Sequence, residues 1–107
     1  LKNMTIKEWE IHWAFVKFED SDEVKRRPVL IINKSRAAIV SLKMTGTDRG
    51  DDVRECRIDE WREAGLSKPT SVRLDKVLRL QESDLDGKIG ELQERDKLII
   101  RLRLSKR

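Results

Sequence analysis

The strongest constraint on the fold is a two-residue alternation that begins at Trp9. Trp9, Ile11, Trp13 and Phe15 are separated by polar or small residues, and this period predicts a half-buried β-strand. The apolar pattern changes face at Val16, which predicts a bulge or bend near Phe15. Residues 1–8 show no such pattern and are expected to form a flexible lead-in.

Four further segments predict strands. Residues 29–32 form a continuous apolar run, typical of a strand buried on both faces. Residues 37–42 predict a third strand, residues 53–58 a short edge strand, and residues 72–80 a long strand with one register irregularity. Because no long helical crossover separates these segments, we expect antiparallel pairing.

Helical signals are concentrated late in the chain. In residues 59–65, Asp59 can cap a short helix and the glycine can end it in the left-handed conformation. Ser83 and Asp86 have the spacing of a capping box, and residues 93–104 predict an amphipathic helix. The elements together predict an α+β, mainly β domain or a small barrel.

The length of the chain limits the number of domains, and its net charge indicates the kind of partner. The chain has 107 residues, so we expect one domain over residues 9–107. Its net charge is +4 and its pI about 9.4, which favours a polyanionic partner without establishing one.

Rare residue types exclude several kinds of site. Cys56 is the single cysteine and His12 the single histidine, which excludes an internal disulfide, a cysteine-based zinc cage and His-pair metal motifs. We therefore expect no metal and no cofactor, and we interpret His12 as a strand residue without a catalytic role. The chain shows neither a signal peptide nor an apolar run near the roughly 20 residues of a membrane span, so a cytoplasmic setting is expected.

Four segments, taken in order, resemble one protein family. Residues 25–32 (KRRPVLII) resemble the K-R-P-V-L-V-I segment of PemK/MazF-family toxins, and residues 65–77 (GLSKPTSVRLDKV) resemble their G-L-x-K-P-S-x-V-R-x-D-x-V segment. Residues 39–45 stand where the family has a strand ending in an active-site Thr or Ser. Residues 84–92 resemble the closing D-L…K-I-G-x-L pattern. The resemblance spans residues 9–104.

This resemblance implies a fold and an activity. The expected fold is an SH3-like antiparallel β-barrel with a C-terminal helix, acting as a homodimer. The expected activity is that of a toxin in a type II toxin–antitoxin system: a metal-independent, sequence-selective endoribonuclease that cuts single-stranded mRNA and is neutralised by a cognate antitoxin. In the family the 2′-hydroxyl of the RNA is the nucleophile, which suits a chain that carries no catalytic thiol or histidine cluster.

The resemblance also implies catalytic residues. Arg27 matches the arginine that precedes the family's proline, and its planar guanidinium suits a phosphate that gains charge. Thr45 matches the active-site hydroxyl, with Thr47 as the alternative. Arg73 and Asp75 match an Arg–Asp pair that some members use as acid and base. Their alternative is an ion pair on an exposed sheet face.

Several neighbouring residues are candidate contacts to the RNA backbone. They are Lys25, Arg26, Lys43, Thr47 and Arg49. Two other functions stay open. The same barrel serves toxins that bind a protein target such as gyrase and cut nothing, and the basic charge also fits an RNA-binding barrel without cleavage.

Overall fold

Six strands, one 3₁₀ turn and one helix make up the regular structure of the described residues. The computed structural model describes residues 5–17, 22–46 and 54–105. The elements are β1 (Glu10–Lys17), β2 (Val24–Lys34), β3 (Ile39–Thr45), β4 (Glu55–Arg57), β5 (Ser71–Leu80), a 3₁₀ turn (Glu82–Asp84), β6 (Leu85–Glu91) and α1 (Glu94–Ser105).

All six strands belong to one antiparallel sheet. Its order is β4-β5-β3-β2-β1-β6, so β4 is an edge strand, as the sequence predicts. Between the described residues of β4 and β6 no pairing closes the sheet into a hydrogen-bonded barrel. The register between β3 and β5 shifts between Leu42 and Met44, which confirms the irregularity expected in residues 72–80. The mainly β fold with a C-terminal helix is confirmed.

The sheet carries an apolar cluster on each face. β2 supplies both: Leu30 packs with Ile11, Leu42 and the helix residue Ile100, whereas Val29 and Ile31 belong to the second cluster. The continuous apolar run at residues 29–32 therefore does lie in a strand covered on both sides.

The second cluster also corrects the expected start of the domain. Ile6 is 4% exposed and packs with Ala14 and Val16, although residues 1–8 were expected to be a flexible lead-in. The apolar side chain of Ile6 covers one face of the sheet, so the packed domain includes residues before Trp9.

β1 is buried differently from the expected alternation. His12, Ala14 and Val16 are buried, whereas Trp13 is half-buried and Phe15 is 45% exposed. Register shifts against β6 fall between Ile11 and Ala14, earlier than the bend predicted near Phe15. β1 lies between β2 and β6 in a sheet that has an apolar cluster on each face. The side of β1 that carries His12 is therefore covered as well.

Residues 59–65 form successive turns instead of the predicted helix. The backbone N–H groups of Asp59 and Glu60 donate to the carboxylate of Asp96 on α1, so the capping side chain is Asp96 and not Asp59. Gly65 has φ +97°, the left-handed conformation that the sequence predicts. A Cβ on Gly90 would overlap the carbonyl oxygen of Ala64, which shows how closely this turn packs on β6.

The last two predicted elements are present with different details. The backbone N–H of Gln81 donates to the carboxylate of Asp84 at 2.9 Å, so this pair, and not Ser83 with Asp86, caps the 3₁₀ turn. The helix predicted over residues 93–104 is α1. Its buried residues are Asp96 and Ile100.

Candidate functional site

A groove of about 640 Å³ opens at one end of β2 and β3. Strands β1, β2, β3 and β6 contribute to its walls together with the turn that follows residue 64. The lining residues are Trp13, residues 26–28, residues 43–46, residues 65–68, Thr70 and Ile89.

Arg27 and Thr45 lie on adjacent strands at the groove. Val29 of β2 is paired with Lys43 of β3. Arg27 and Thr45 each lie two residues beyond this pair, on the same side of it, and both line the groove. The structure therefore brings together two of the residues that the sequence predicts to be catalytic, a guanidinium and a hydroxyl.

The groove is strongly basic. Four of its described lining residues are cationic, namely Arg26, Arg27, Lys43 and Lys68. None of the described lining residues is acidic. Because facing walls of one sign concentrate the electric field between them, the groove favours an anionic ligand.

Lys68 is a groove residue that the sequence analysis did not single out. A Cβ added to Gly46 would lie 2.9 Å from Cε of Lys68, so the lysine side chain crosses the backbone next to Thr45. The hydroxyl of Thr70 donates to the carbonyl oxygen of Lys68 at 2.9 Å and fixes this turn. The only sequence signal for Lys68 was its place in the K-P segment of the family resemblance.

Arg26, a predicted RNA contact, is held on two sides. Its Nε donates to Oδ2 of Asp86 at 2.6 Å, and its guanidinium carbon lies 4.3 Å from the centroid of the Trp13 ring. Arg26 therefore reaches from β2 across β1 to β6.

Arg73 and Asp75 are not among the residues that line the groove. Arg73 is 5% exposed, and its Nε and Nη2 each donate to the Asp75 carboxylate at 3.2 Å. Glu55 of the neighbouring strand lies 3.6 Å from Arg73 Nε. Partial burial acts to raise the pKa of Asp75, but the hydrogen bonds and charge of Arg73 outweigh it and lower the pKa.

The predicted RNA contacts not yet described are Lys25, Thr47 and Arg49. Lys25 lies outside the groove and is 3.6 Å from Glu23. Thr47 and Arg49 lie outside the described residues. His12 is 2% exposed, and its Nε2 is 2.8 Å from Oε1 of Glu10, which places it away from the groove, in the core.

The described part of the chain contains neither a cluster of metal-binding side chains nor a helix suited to cross a membrane. Across residues 5–17, 22–46 and 54–105, no group of three or more His, Cys, Asp and Glu side chains is arranged to hold a metal ion. Within the same ranges, no helix has the length and apolar character needed to cross a membrane.

Sequence comparison identifies a toxin family and one of its named proteins as similar to this chain. The sequence model of the PemK-like, MazF-like toxins of type II toxin–antitoxin systems matches residues 7–106. A protein of Mycolicibacterium smegmatis named probable endoribonuclease MazF is 34% identical over 76 residues, which cover 67% of this chain and 70% of that protein.

Structure comparison finds the same fold in solved proteins. The Mycobacterium tuberculosis toxin MazF-mt6 superposes with a TM-score of 0.73 at 24% identity, covering 91% of this chain and 93% of its own. An endoribonuclease of a mycobacterial species, solved in complex with its cognate antitoxin, superposes with a TM-score of 0.74 at 16% identity, covering 95% and 93%. At these identities the likeness establishes the fold.

Proposed function

The chain belongs to the PemK-like, MazF-like toxins of type II toxin–antitoxin systems, and we propose that it is an endoribonuclease whose basic groove cuts single-stranded RNA. The observation that carries the proposal is the joint placement of Arg27, Thr45, Lys43 and Lys68 on one groove. The relative named probable endoribonuclease MazF supports the same activity.

The proposed chemistry is transfer of a phosphoryl group within the RNA. The 2′-hydroxyl oxygen attacks the adjacent phosphorus and loses its proton, the bond to the 5′-oxygen breaks, and that oxygen takes up a proton. The products are a 2′,3′-cyclic phosphate and a 5′-hydroxyl. The guanidinium of Arg27 and the hydroxyl of Thr45 donate to the phosphate oxygens, where negative charge develops.

We assign Arg73 and Asp75 to a structural ion pair within β5, next to Glu55 of β4. Nε and Nη2 of Arg73 both donate to the Asp75 carboxylate, and the buried Glu55 lies 3.6 Å from Nε. A carboxylate with a lowered pKa is also a weaker general base. Of the two roles that the sequence leaves open, this arrangement supports the ion pair over acid–base catalysis.

Partners follow from the family and from the surface of α1. We propose that a cognate antitoxin binds and neutralises this toxin, since an endoribonuclease of similar fold was solved in complex with its cognate antitoxin, and that the toxin acts in the cytoplasm. We also propose a homodimer, because Leu98 and Leu102, one helical turn apart, are 56% and 53% exposed and a two-fold interface covers such a surface. A monomer mass in light scattering at tens of micromolar contradicts the dimer.

The deciding experiment uses one RNA in two forms. Purified protein is incubated, in excess chelator, with a single-stranded RNA and with the same RNA carrying a 2′-deoxy nucleotide just 5′ of the scissile bond. We expect only the first to be cut, with mass spectrometry showing cyclic phosphate and 5′-hydroxyl ends. Cutting of the deoxy substrate, 5′-phosphate ends or a requirement for added metal contradicts the mechanism.

The same experiment separates the two other functions. A barrel that binds RNA without cleavage retains both substrates intact, and a toxin directed at a protein target such as gyrase neither binds nor cuts them. Either result contradicts the proposed activity while leaving the family assignment in place.

A further inference from the structure

Asp86 lies beside the groove without lining it. Its carboxylate accepts the Nε hydrogen bond of Arg26 at 2.6 Å, although the two residues are 60 positions apart in sequence. Arg26 lines the groove and Asp86 does not. The carboxylate of Asp86 therefore lies next to the groove wall, while the arginine that it holds is part of that wall.

Two contacts fix the guanidinium of Arg26 before any ligand arrives. Asp86 fixes its Nε edge, and the Trp13 ring lies against its face at 4.3 Å. Within the described ranges its two terminal amino groups make no hydrogen bond, and the side chain is 46% exposed. The terminal amino groups are the pair of donors that suits two oxygens of one phosphate.

We propose that Asp86 is a positioning residue that holds Arg26 on Trp13, so that the terminal amino groups of Arg26 bind one phosphate of the RNA backbone. This inference depends on the proposed RNA-cutting function. A free arginine loses rotamer freedom when it binds a phosphate. Arg26 already loses this rotamer freedom when the protein folds. RNA binding is favoured because the loss does not occur at the binding step.

The test measures RNA affinity and cleavage separately. Fluorescence anisotropy with the uncut 2′-deoxy RNA gives Kd at several salt concentrations, and the all-ribose RNA gives kcat and KM. We expect Asp86→Ala to raise Kd and KM about three- to tenfold with kcat unchanged, because the ordering of one flexible side chain returns to the binding step. Asp86→Asn retains an acceptor oxygen for Nε and is expected to restore most of the affinity.

Arg26→Ala identifies the group through which Asp86 acts. This variant removes one phosphate contact, so the slope of log affinity against log salt is expected to fall by about 0.7. In the Arg26→Ala background, Asp86→Ala is expected to change Kd no further. An effect of Asp86→Ala that persists without Arg26 contradicts the inference.

Asp59 provides a matched control. The side chain of Asp59 is 46% exposed, close to the 44% of the Asp86 side chain. It pairs with Arg95 at a distance of 3.2 Å, and neither residue lines the groove. Asp59→Ala removes the same charge and is expected not to weaken RNA binding.

Three outcomes decide between the inference and the proposed function. Asp86→Ala that binds RNA more tightly shows that Asp86 competes with phosphate, and an unchanged Kd shows that it does not position Arg26. Either result overturns the inference alone, provided that the wild-type protein binds and cuts RNA. A wild-type protein that does neither contradicts the proposed function and this inference with it.

Discussion

The carboxylate of Asp96 on the C-terminal helix accepts a hydrogen bond from the backbone N–H of Asp59 at 3.0 Å. Its second oxygen accepts the N–H of Glu60, also at 3.0 Å. These bonds tie α1 to the turn that continues to Gly65 and Leu66, two residues of the groove wall. A buried helix carboxylate thus contributes to the shape of the site without touching it.

We expect Asp96→Ala to lower the free energy of unfolding by about 2–3 kcal/mol, because two part-buried N–H groups lose a charged acceptor. Asp96→Asn retains one acceptor oxygen and should lose less. Urea denaturation measures both, and Glu94→Ala, an exposed change on the same helix, is the control. Equal stabilities for wild type and Asp96→Ala would show that the turn is held by other contacts.

For Arg27→Ala, we expect the rate of RNA cleavage to fall by about 10²–10³-fold while the midpoint of thermal unfolding stays unchanged. The side chain is exposed, so the fold does not depend on it, whereas the loss of one preorganised donor to the developing charge has this cost in rate. Arg27→Lys retains the charge without the planar fork and should recover only part of the activity.

Arg79→Ala is the control for that measurement, since this arginine is exposed on β5 outside the groove. Cleavage by Arg27→Ala within threefold of the wild-type rate would remove Arg27 from the mechanism.

The pH dependence of stability should report on Glu10. Burial acts to raise its pKa, but hydrogen bonds from His12, the Lys7 N–H and Lys88 outweigh burial and lower the pKa below the ordinary value of 4.5. A lowered pKa means that the unfolded chain takes up the proton first. The stabilisation is therefore complete above pH 4.5 and is lost as the pH falls through the lowered pKa.

Urea midpoints for wild type and Glu10→Gln between pH 7 and pH 3 check this sign. The urea midpoint of the wild type is expected to exceed that of Glu10→Gln by less and less below pH 4.5. A difference in midpoint that stays constant with pH would show that the charge of Glu10 is unimportant. Glu91→Gln removes the exposed carboxylate near the same lysine and is the control.

Sequence patterns predicted where the strands and the last helix lie better than they predicted which faces of these elements are exposed. The run at residues 29–32 and the glycine at 65 each depend on a local rule, and both appear as expected. Residues 93–104 were predicted to form an amphipathic helix without an assignment of its buried face; Leu98 is exposed and Ile100 is buried. Periodicity shows that a helix or strand has two kinds of face, but only the packing of distant elements decides which face is covered.

The same limit applies to the groove. Arg27 and Thr45 were found through short motifs, because each stands at a fixed place in a recognisable segment. The partnership of Arg26 with Asp86 joins positions 60 residues apart, and neither residue type is unusual at its position. Such a contact depends on the order of three strands, which one sequence does not reveal.

Asp75→Asn distinguishes an ion pair from a catalytic base. In the structural role that we assign, Asn retains an acceptor for Arg73 but loses the charge, so we expect cleavage to remain within about threefold of wild type while the midpoint of thermal unfolding falls. The pKa of Asp75 is lowered, so this loss of stability should be present at neutral pH and disappear on acidification below the ordinary value of 3.8. Single-turnover cleavage and thermal denaturation of the same preparation give both numbers. A fall in rate of 10²-fold or more, with unfolding unchanged, is the size expected for a general base and would return Arg73 and Asp75 to the reaction itself.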